Sequence, residues 1–531
     1  MNQELDATAG RPAINPWIIA VTVTMATFME VLDTSIANVA LPHMAGSLSA
    51  SVDESTWVLT SYLVANAIVL PLSGWLSSVI GRKRFYMSCV ALFTVSSALC
   101  GLATSLEQLV FFRVLQGLSG GGLQPSEQAI LVDTFPPAKR GMAMAVYGFA
   151  VLVAPVLGPT LGGWITDNYT WRWIFYINVP VGCLSLLLSG MVLEDPPYLK
   201  QQREARRGKP FRVDFVGLGL IAVGLAALEI VLDKGQTEDW FNSIFITRLS
   251  IIAAVGIMAA IAWELWHPEP IINLRLFRDR NFTFAAVGVF SAFGVLYGST
   301  VLLPQMLQTL MGYTAFQAGL VMSPAGLVTM LEMPVIGILL SRGADARWLI
   351  ATGLLIVSVA AFWMSGLNLE VGPNQVIWPR IVQTMGAGLL WVPINTAAYA
   401  YISRNQVGNA SGLFNLIRNE GSSMGVALST TLLQRRTQFH QARLIEHVSV
   451  LDPETTNVLG RLTQAAQAGG ADPVLAHQQG LGMMYQTVQR QATGMSYLDL
   501  FWLFGALSLA VIPLVFLMRP AVAKGGDMAA H

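Results

Sequence analysis

Residues 17–41 read WIIAVTVTMATFMEVLDTSIANVAL. A helix rises about 1.5 Å per residue and a hydrocarbon core is about 30 Å thick, so this run is long enough to cross a bilayer. Its only charges are Glu30 and Asp33. Three residues apart, they share a helical face. Each carboxylate costs roughly 2.5–3.5 kcal/mol at the centre of a membrane helix, so acids at this depth face a protein interior and carry a task. The run is also longer than the apolar core of a signal peptide and lacks a clear small-residue cleavage site, which predicts a retained first helix.

The rest of the chain repeats the pattern. Of 531 residues, 54% are hydrophobic and 12% charged, about half the charged share of a soluble domain. Mean hydropathy is +0.56. The chain is therefore expected to be an all-α polytopic membrane protein. Net charge is zero, so no nucleic-acid partner is implied. Cys89, Cys100 and Cys183 stand singly in apolar segments without metal spacing, as small core hydrophobes. There is no GxxxxGK[ST] loop and hence no sign of ATP. Nor is there a zinc, Ser-His-Asp or haem spacing, so an enzyme is not expected.

Apolar runs of membrane length place fourteen spans near 17–41, 56–77, 85–104, 107–128, 142–164, 173–193, 214–232, 245–266, 282–303, 316–340, 348–367, 375–400, 409–433 and 497–518. Lys and Arg crowd alternate loops: Arg82–Arg84, Lys139 and Arg140, Lys200–Arg212, Arg275–Arg280, and Arg342 with Arg347. The loops 42–55, 104–106, 304–315 and 368–374 hold neither residue, and two others hold only Arg172 and Lys234. The bias predicts that both termini are cytoplasmic. A long outer segment at about 434–496 is expected to form amphipathic helices outside the membrane, near 441–451 and 458–468. It is the feature best suited to meet another protein.

The sequence also echoes itself. GWLSSVIGRKR from Gly74 has a counterpart in GILLSRGADAR from Gly337 (337 − 74 = 263), and RVLQGLSGGGLQP from Arg113 one in RIVQTMGAGLLWVP from Arg380 (380 − 113 = 267). Nearly equal offsets predict two duplicated six-helix bundles, an architecture of transporters with a site at the interface. The expected division is 1–195 for the first bundle, 196–280 for a basic cytoplasmic linker with two extra helices, and 281–531 for the second bundle with its long outer loop.

Several intramembrane residues carry chemistry. Asp33 is the leading candidate proton carrier or substrate contact, the alternative being a capping or purely structural acid. Glu30 on the same face is a candidate for a coupled pair with it. Arg113 lies within the fourth span and cannot face lipid cheaply. Its permanent cation either governs a neighbouring carboxyl's protonation or clamps helices together. Glu127, three residues beyond Gln124 and placed to sit in a central cavity, is a further candidate for proton coupling. Gln116 and Gln124 are candidates for substrate contact. Glu229 belongs at a membrane interface, near the outer end of its span. Glu332, in an apolar tenth span, either attracts cations, takes a second proton or packs helices. Asn38, Trp57, Tyr62, Asn66, Tyr297, Gln305, Trp391 and Asn395 are candidates to line an adaptable pocket for small hydrophobic or amphiphilic substrates. In VLVAPVLGPTLGG, Pro155 and Pro159 favour a kink, while Gly158, Gly162 and Gly163 permit close helix contact. They suit a hinge or seal between the halves, or a passive packing notch.

With these motifs in view, the chain resembles the major facilitator superfamily. GWLSSVIGRKR, with Gly74, Gly81, Arg82 and Lys83, resembles that family's cytoplasmic signature, and VLVAPVLGPTLGG its antiporter signature. LDTSIANVALP, WRWIFYINVPVG, DFVGLGL, VLDKGQTEDWF and NASGLFNLIRNEGSSMGVAL resemble motifs of its fourteen-helix drug:proton antiporters of the EmrB/QacA type. The resemblance implies two six-helix bundles plus two linking helices. It also implies efflux driven by the proton gradient without a bound cofactor, and an Arg113 that communicates with the proton site of the first helix. The likeness is to inner-membrane permeases of Gram-negative tripartite pumps, which implies a bacterial inner membrane, a periplasmic adaptor and an outer-membrane channel. Export of one endogenous compound (a fatty acid, siderophore or secondary metabolite) and an envelope-assembly scaffold are the competing expectations. One departure is Ser78 where the signature usually has Asp, echoed by Ser341 in the second copy. It is expected to leave Arg82 and Lys83 without their usual partner, fixing topology alone.

Overall fold

Turn signals between the apolar runs break the chain into helices, and the computed structural model follows them closely. It describes residues 15–206, 214–268, 270–403, 406–449 and 451–520. Both termini, and Arg207, Lys209 and Arg212 of the basic linker, lie outside the described residues. In order, the α-helices are α1 (Pro16–Ser47), α2 (Val52–Ser55), α3 (Trp57–Ile80), α4 (Arg82–Leu102), α5 (Leu106–Thr134), α6 (Pro137–Asn168), α7 (Trp173–Tyr176), α8 (Asn178–Val192) and α9 (Pro197–Arg206). Then follow α10 (Phe215–Lys234), α11 (Ile244–Trp266), α12 (Arg280–Thr309), α13 (Ala315–Ser341), α14 (Ala346–Ser365), α15 (Pro373–Tyr399), α16 (Val407–Ile445), α17 (Pro453–Ala468) and α18 (Pro473–Val515). Every expected span falls on one of these, with α7 and α8 together forming the sixth, and no strand occurs among the described residues.

Ten of these spans are long and apolar enough to cross a membrane, and α6 makes an eleventh as two arms bent by 46° between Pro155 and Thr160. The other three, α5, α15 and α16, carry the buried guanidiniums Arg113, Arg380 and Arg418. Their polarity is turned inward, while the periphery is apolar. Leu187 and Met191 on α8, Ile251 and Met258 on α11, and Leu327 and Leu331 on α13 are all more than half exposed, as lipid-facing side chains should be.

Helix α1 packs on α6, α5 and α8, and α3 on α5, while α12 packs on α16 and α14 on α15 and α18. The two sets meet along α6–α13 and α3–α16. Small residues make these seams tight. A Cβ on Gly74 of α3 would come within 2.6 Å of the Asn409 backbone on α16. One on Gly337 of α13 would lie 2.9 Å from Met142 Cα on α6, and one on Gly148 of α6 would meet Trp391 at 2.8 Å. Helices α10 and α11 pair through a Gly224–Gly256 contact, and α10 lies against both α3 and α16.

The outer segment differs from expectation. Rather than ending near 433 and restarting near 497, the flanking helices run on: α16 reaches Ile445 and α18 begins at Pro473. At about 1.5 Å per residue they are roughly 58 and 64 Å long, well beyond the membrane. The change in polarity at Gln434 marks a change of solvent, not a break in the helix, because no Gly or Pro follows before Ile445. Asp499 of α18 ties the hairpin, accepting from Arg436 Nε at 2.7 Å and lying 2.6 Å from His440 Nε2. Between the arms sits α17, which packs on α18 and is capped by Asp452 through the backbone N–H groups of Glu454 and Thr455.

Candidate functional site

The acids of α1 lead into the interior and take separate partners. Asp33 Oδ2 accepts from Arg113 Nη1 at 2.6 Å, and its Oδ1 accepts from Asn178 Nδ2 at 2.6 Å and Gln116 Nε2 at 3.0 Å. Arg113 is fully buried and also donates to Gln116 Oε1 at 2.8 Å and to the Val58 carbonyl at 3.1 Å. Four helices, α1, α3, α5 and α8, thus converge on one ion pair.

Glu30, one turn earlier, accepts from Gln124 Nε2 at 2.6 Å and the Tyr62 hydroxyl at 3.1 Å. Tyr62 links the two acids, because the Arg113 guanidinium sits 4.3 Å above its ring while its hydroxyl bonds Glu30. Gln124 carries the network across the seam: its Oε1 accepts from Arg418 Nη2 of α16 at 2.6 Å and from the Tyr147 hydroxyl at 3.0 Å. Arg418 also donates to Tyr147 at 3.0 Å and lies over the rings of Trp391 and Phe293, at 5.4 and 5.6 Å. A second cross-seam cluster surrounds Gln128, which donates to Asn395 at 3.3 Å and accepts from Tyr399 at 2.7 Å and Asn415 at 2.8 Å.

The internal duplication supplies a comparison within one molecule. Arg380 donates to Gln383 Oε1 at 2.6 Å, as Arg113 does to Gln116. Yet its other partner is Thr300 Oγ1 at 2.9 Å, and Ser299 Oγ bonds Gln383 at 3.1 Å. At the same offset of 267, position 300 answers to 33 (300 − 33 = 267), so the second copy holds a hydroxyl where the first holds a carboxylate. The Arg-x-x-Gln scaffold is shared, and the acid is not.

The Major Facilitator Superfamily profile matches residues 23–426. The chain belongs to this superfamily. It is 36% identical over 511 residues to the multidrug export protein EmrB of Escherichia coli K12, covering 96% of each chain. It is 37% identical over 508 residues to the fatty acid resistance protein FarB of Neisseria gonorrhoeae, covering 96% of this chain and 97% of that one. Among solved structures, the proton:xylose symporter XylE superposes with a TM-score of 0.58 at 14% identity, covering 94% of this chain and 95% of that one. The chain is thus a multi-pass membrane transporter of the major facilitator fold, not an enzyme.

Other candidates are distributed unevenly. Tyr62, Gln116, Gln124 and Trp391 belong to the central network, Asn395 to the Gln128 cluster, and Tyr297 stacks on Phe293 at 5.9 Å beside them. Asn66 Nδ2 approaches Glu30 at 3.4 Å. Glu127 is buried on α5 and accepts from Thr24 at 2.5 Å, one helix turn from the Gln124 bridge. Asn38 and Gln305 are exposed and are not part of it. Asn38 Nδ2 is spent on the Thr34 carbonyl of its own helix. Trp57 lies at the far end of α3, under the Lys234 ammonium of α10 at 5.0 Å. Glu332 is half-buried, and its Oε2 occupies the space above Gly388 of α15. Cys183 is exposed, unlike Cys89 and Cys100. Glu229 is 1% exposed rather than interfacial, because α16 covers it.

The glycines of the antiporter signature also face otherwise than expected. A Cβ on Gly158 would meet Ser35 Oγ at 2.2 Å and one on Gly162 would meet Ile36 at 3.2 Å, both on α1 of the same half, while Gly163 has open space. Thr160 of the same motif lies against α13, where a Cβ on Gly319 would meet its Oγ1 at 3.1 Å. Pro159 has no N–H for the Pro155 carbonyl four residues back, and that carbonyl accepts instead from Ser35 Oγ at 3.0 Å. The α6 bend is therefore fastened to the helix that carries Asp33.

The signature loop also departs from expectation. Gly81 closes α3 at φ 101°, a conformation suited to glycine. Arg82 is not bereft by Ser78, whose hydroxyl turns back to the Trp75 carbonyl. It pairs with Asp133 of α5 and bonds the Tyr198 hydroxyl of α9 at 3.1 Å. Lys83 donates from its backbone to Asp195 at 2.8 Å and from Nζ to the Gly190 carbonyl at 2.7 Å. An acid on α5 replaces the missing one, and sequence spacing alone does not reveal it. Arg418 and Glu420 were open to detection: the rule that flags Arg113, a charge inside a span, applies equally to them.

Proposed function

We propose that the chain exports hydrophobic and amphiphilic toxic compounds in exchange for protons, and that Asp33 carries the exchanged proton. The observation that carries this reading is the single continuous path Asp33–Arg113–Tyr62–Glu30–Gln124–Arg418. It begins at a buried acid in one half and ends on a cation in the other, so a change of protonation at α1 alters a contact between the halves. The duplicated scaffold at Arg380 holds no acid, which favours one coupling centre of this kind. Rocking of two bodies, 1–195 and 281–531, would make and break the Gln124–Arg418 bridge, with Glu30 and Glu127 as nearby proton partners. Substrate would contact Tyr62, Trp391, Asn395 and Tyr297. The names of the relatives EmrB and FarB favour toxicant export.

The same reading places the Arg82 end of the molecule at the cytoplasm of a bacterial inner membrane, with both termini there. The α16–α18 hairpin would project outward, where it suits a periplasmic adaptor leading to an outer-membrane channel. One observation favours a second reading, export of a particular amphiphilic acid such as a fatty acid. Arg418 is buried among rings and bonded to neutral groups, Gln124 and Tyr147, which suits a carboxylate head with an apolar tail.

Everted vesicles energised acid-inside, loaded with a pH dye, test the proposal. Hydrophobic cations, neutral antibiotics and fatty acids are added in turn to wild type and Asp33→Asn. Dequenching by some compounds in wild type alone supports proton-coupled export and names the class. A response to fatty acids only favours the second reading. Absence of any response from wild type sinks both.

A further inference from the structure

Outside the central network, a second set of acids is sealed where the linking helix α10 crosses the seam. Glu229 of α10 is 1% exposed. Its Oε1 accepts from Asn419 Nδ2 at 3.0 Å and Ser423 Oγ at 3.3 Å, both on α16. Its Oε2 is solvent-inaccessible and has no hydrogen-bond partner, and neither carboxyl oxygen of Glu420 has one. Glu420 is adjacent to Asn419 and one turn before Ser423, so it borders the same contact, and the two carboxyls interact electrostatically.

Of the other charged groups on the packed elements, Asp233 also acts electrostatically on Glu229 from one turn along α10. Asp233 of α10 accepts from Thr60 of α3, and Lys234 bonds Thr56 and lies over Trp57. Arg418 is aimed at Gln124 and Tyr147, while Arg436 and His440 hold Asp499 of α18.

We propose that Glu229 and Glu420 form a second exchangeable-proton site, one proton held between the two carboxyl groups at the α10–α16 contact. Two neighbouring carboxylates at this depth repel each other, and each is costly to ionise there. A single shared proton removes one charge and gives the open oxygens a donor and an acceptor. A metal ion fits less well, because it needs six or so oxygen ligands and no cluster of three or more acidic, His or Cys ligands exists among the described residues. The site ties the linking helix to the second half: α10 already holds α3 through Thr56 and Thr60, so loss of the proton would loosen its hold on α16 alone. It stands apart from Asp33 and does not depend on the transport reading, although its use in transport does.

Infrared pH-difference spectroscopy of the purified full chain in lipid nanodiscs reads a protonated carboxyl directly, with no substrate present. Wild type should show a protonated-carboxyl band that disappears on alkalinisation. The E229Q/E420Q double variant should lack it, and each single variant should displace its midpoint, while Asp33→Asn leaves it in place. Asn419→Ala, which keeps both acids and removes only a donor, should also displace the midpoint, and serves if the double variant does not fold. The proposal is overturned if the band is absent from wild type or survives unchanged in the double variant. A carboxylate-band shift on adding Na⁺ or K⁺, in wild type only, would overturn the proton in favour of a metal cation.

Discussion

At the scale of single residues, one carboxylate separates two otherwise equivalent scaffolds. Arg113 and Arg380 each hold a glutamine one turn away, and only Arg113 faces an acid. Removing Arg113 would leave Asp33 buried and uncompensated. Arg113→Ala should destabilise the protein by about 3–5 kcal/mol, read as a fall in thermal midpoint in detergent. Asp33→Asn keeps an oxygen for the bonds donated by Asn178 and Gln116. It leaves the Arg113 cation without its counter-charge, so it too should lower the thermal midpoint. Tyr62→Phe retains the ring beneath Arg113 but removes the hydroxyl from Glu30, at a cost of about 1.5–3 kcal/mol for a bond to a charged group. It should therefore shift the pH profile of transport with little change in expression. An unchanged profile would show that the two acids act separately.

Among the elements, helix α6 joins the VLVAPVLGPTLGG motif to the proposed proton site at Asp33. Its 46° bend follows from the missing Pro159 N–H, and the freed carbonyl is held by Ser35 on α1. Gly158→Leu would drive a side chain into Ser35 and displace α1 near Asp33. Proton leak or lost coupling at normal protein level is the expected result, whereas low protein level alone would make the glycine a packing notch. Gly74→Ala tests the other seam: its Cβ would fall within 2.6 Å of the Asn409 backbone, so the Arg82 end should open more often. Thiol labelling of a cysteine introduced near Asn409 should rise severalfold, and unchanged labelling would contradict the tight seam. The sequence made these helices legible through apolar runs and Pro/Gly spacing. It did not make their facing legible, because one motif of closely spaced glycines serves both a same-half contact (Gly158) and none (Gly163). Likewise, a run of polar residues at 434–496 looks like a loop in sequence, yet nothing there breaks the helices before Ile445.

For the whole molecule, the duplication and the inward-turned polarity of α5, α15 and α16 were readable from offsets and residue types. What was not readable is which side chains meet across the seam. The Gln124–Arg418 bridge joins residues 294 positions apart, and no local pattern records such a pairing. Two halves that touch through polar bridges and small residues are suited to separate and rejoin. Deleting residues 446–472, the hairpin tip with α17, should spare vesicle transport and abolish cellular resistance if an adaptor docks there. Equal resistance with and without the tip would make the pump free-standing. The central claim, that substrate binding expels a proton from Asp33, is tested most directly on purified protein in weakly buffered detergent containing a pH dye. The compound giving the strongest vesicle response is added to wild type, Asp33→Asn and Arg380→Gln. Proton release from wild type and Arg380→Gln, but not from Asp33→Asn, is the predicted result. Equal release from Asp33→Asn and wild type would contradict it.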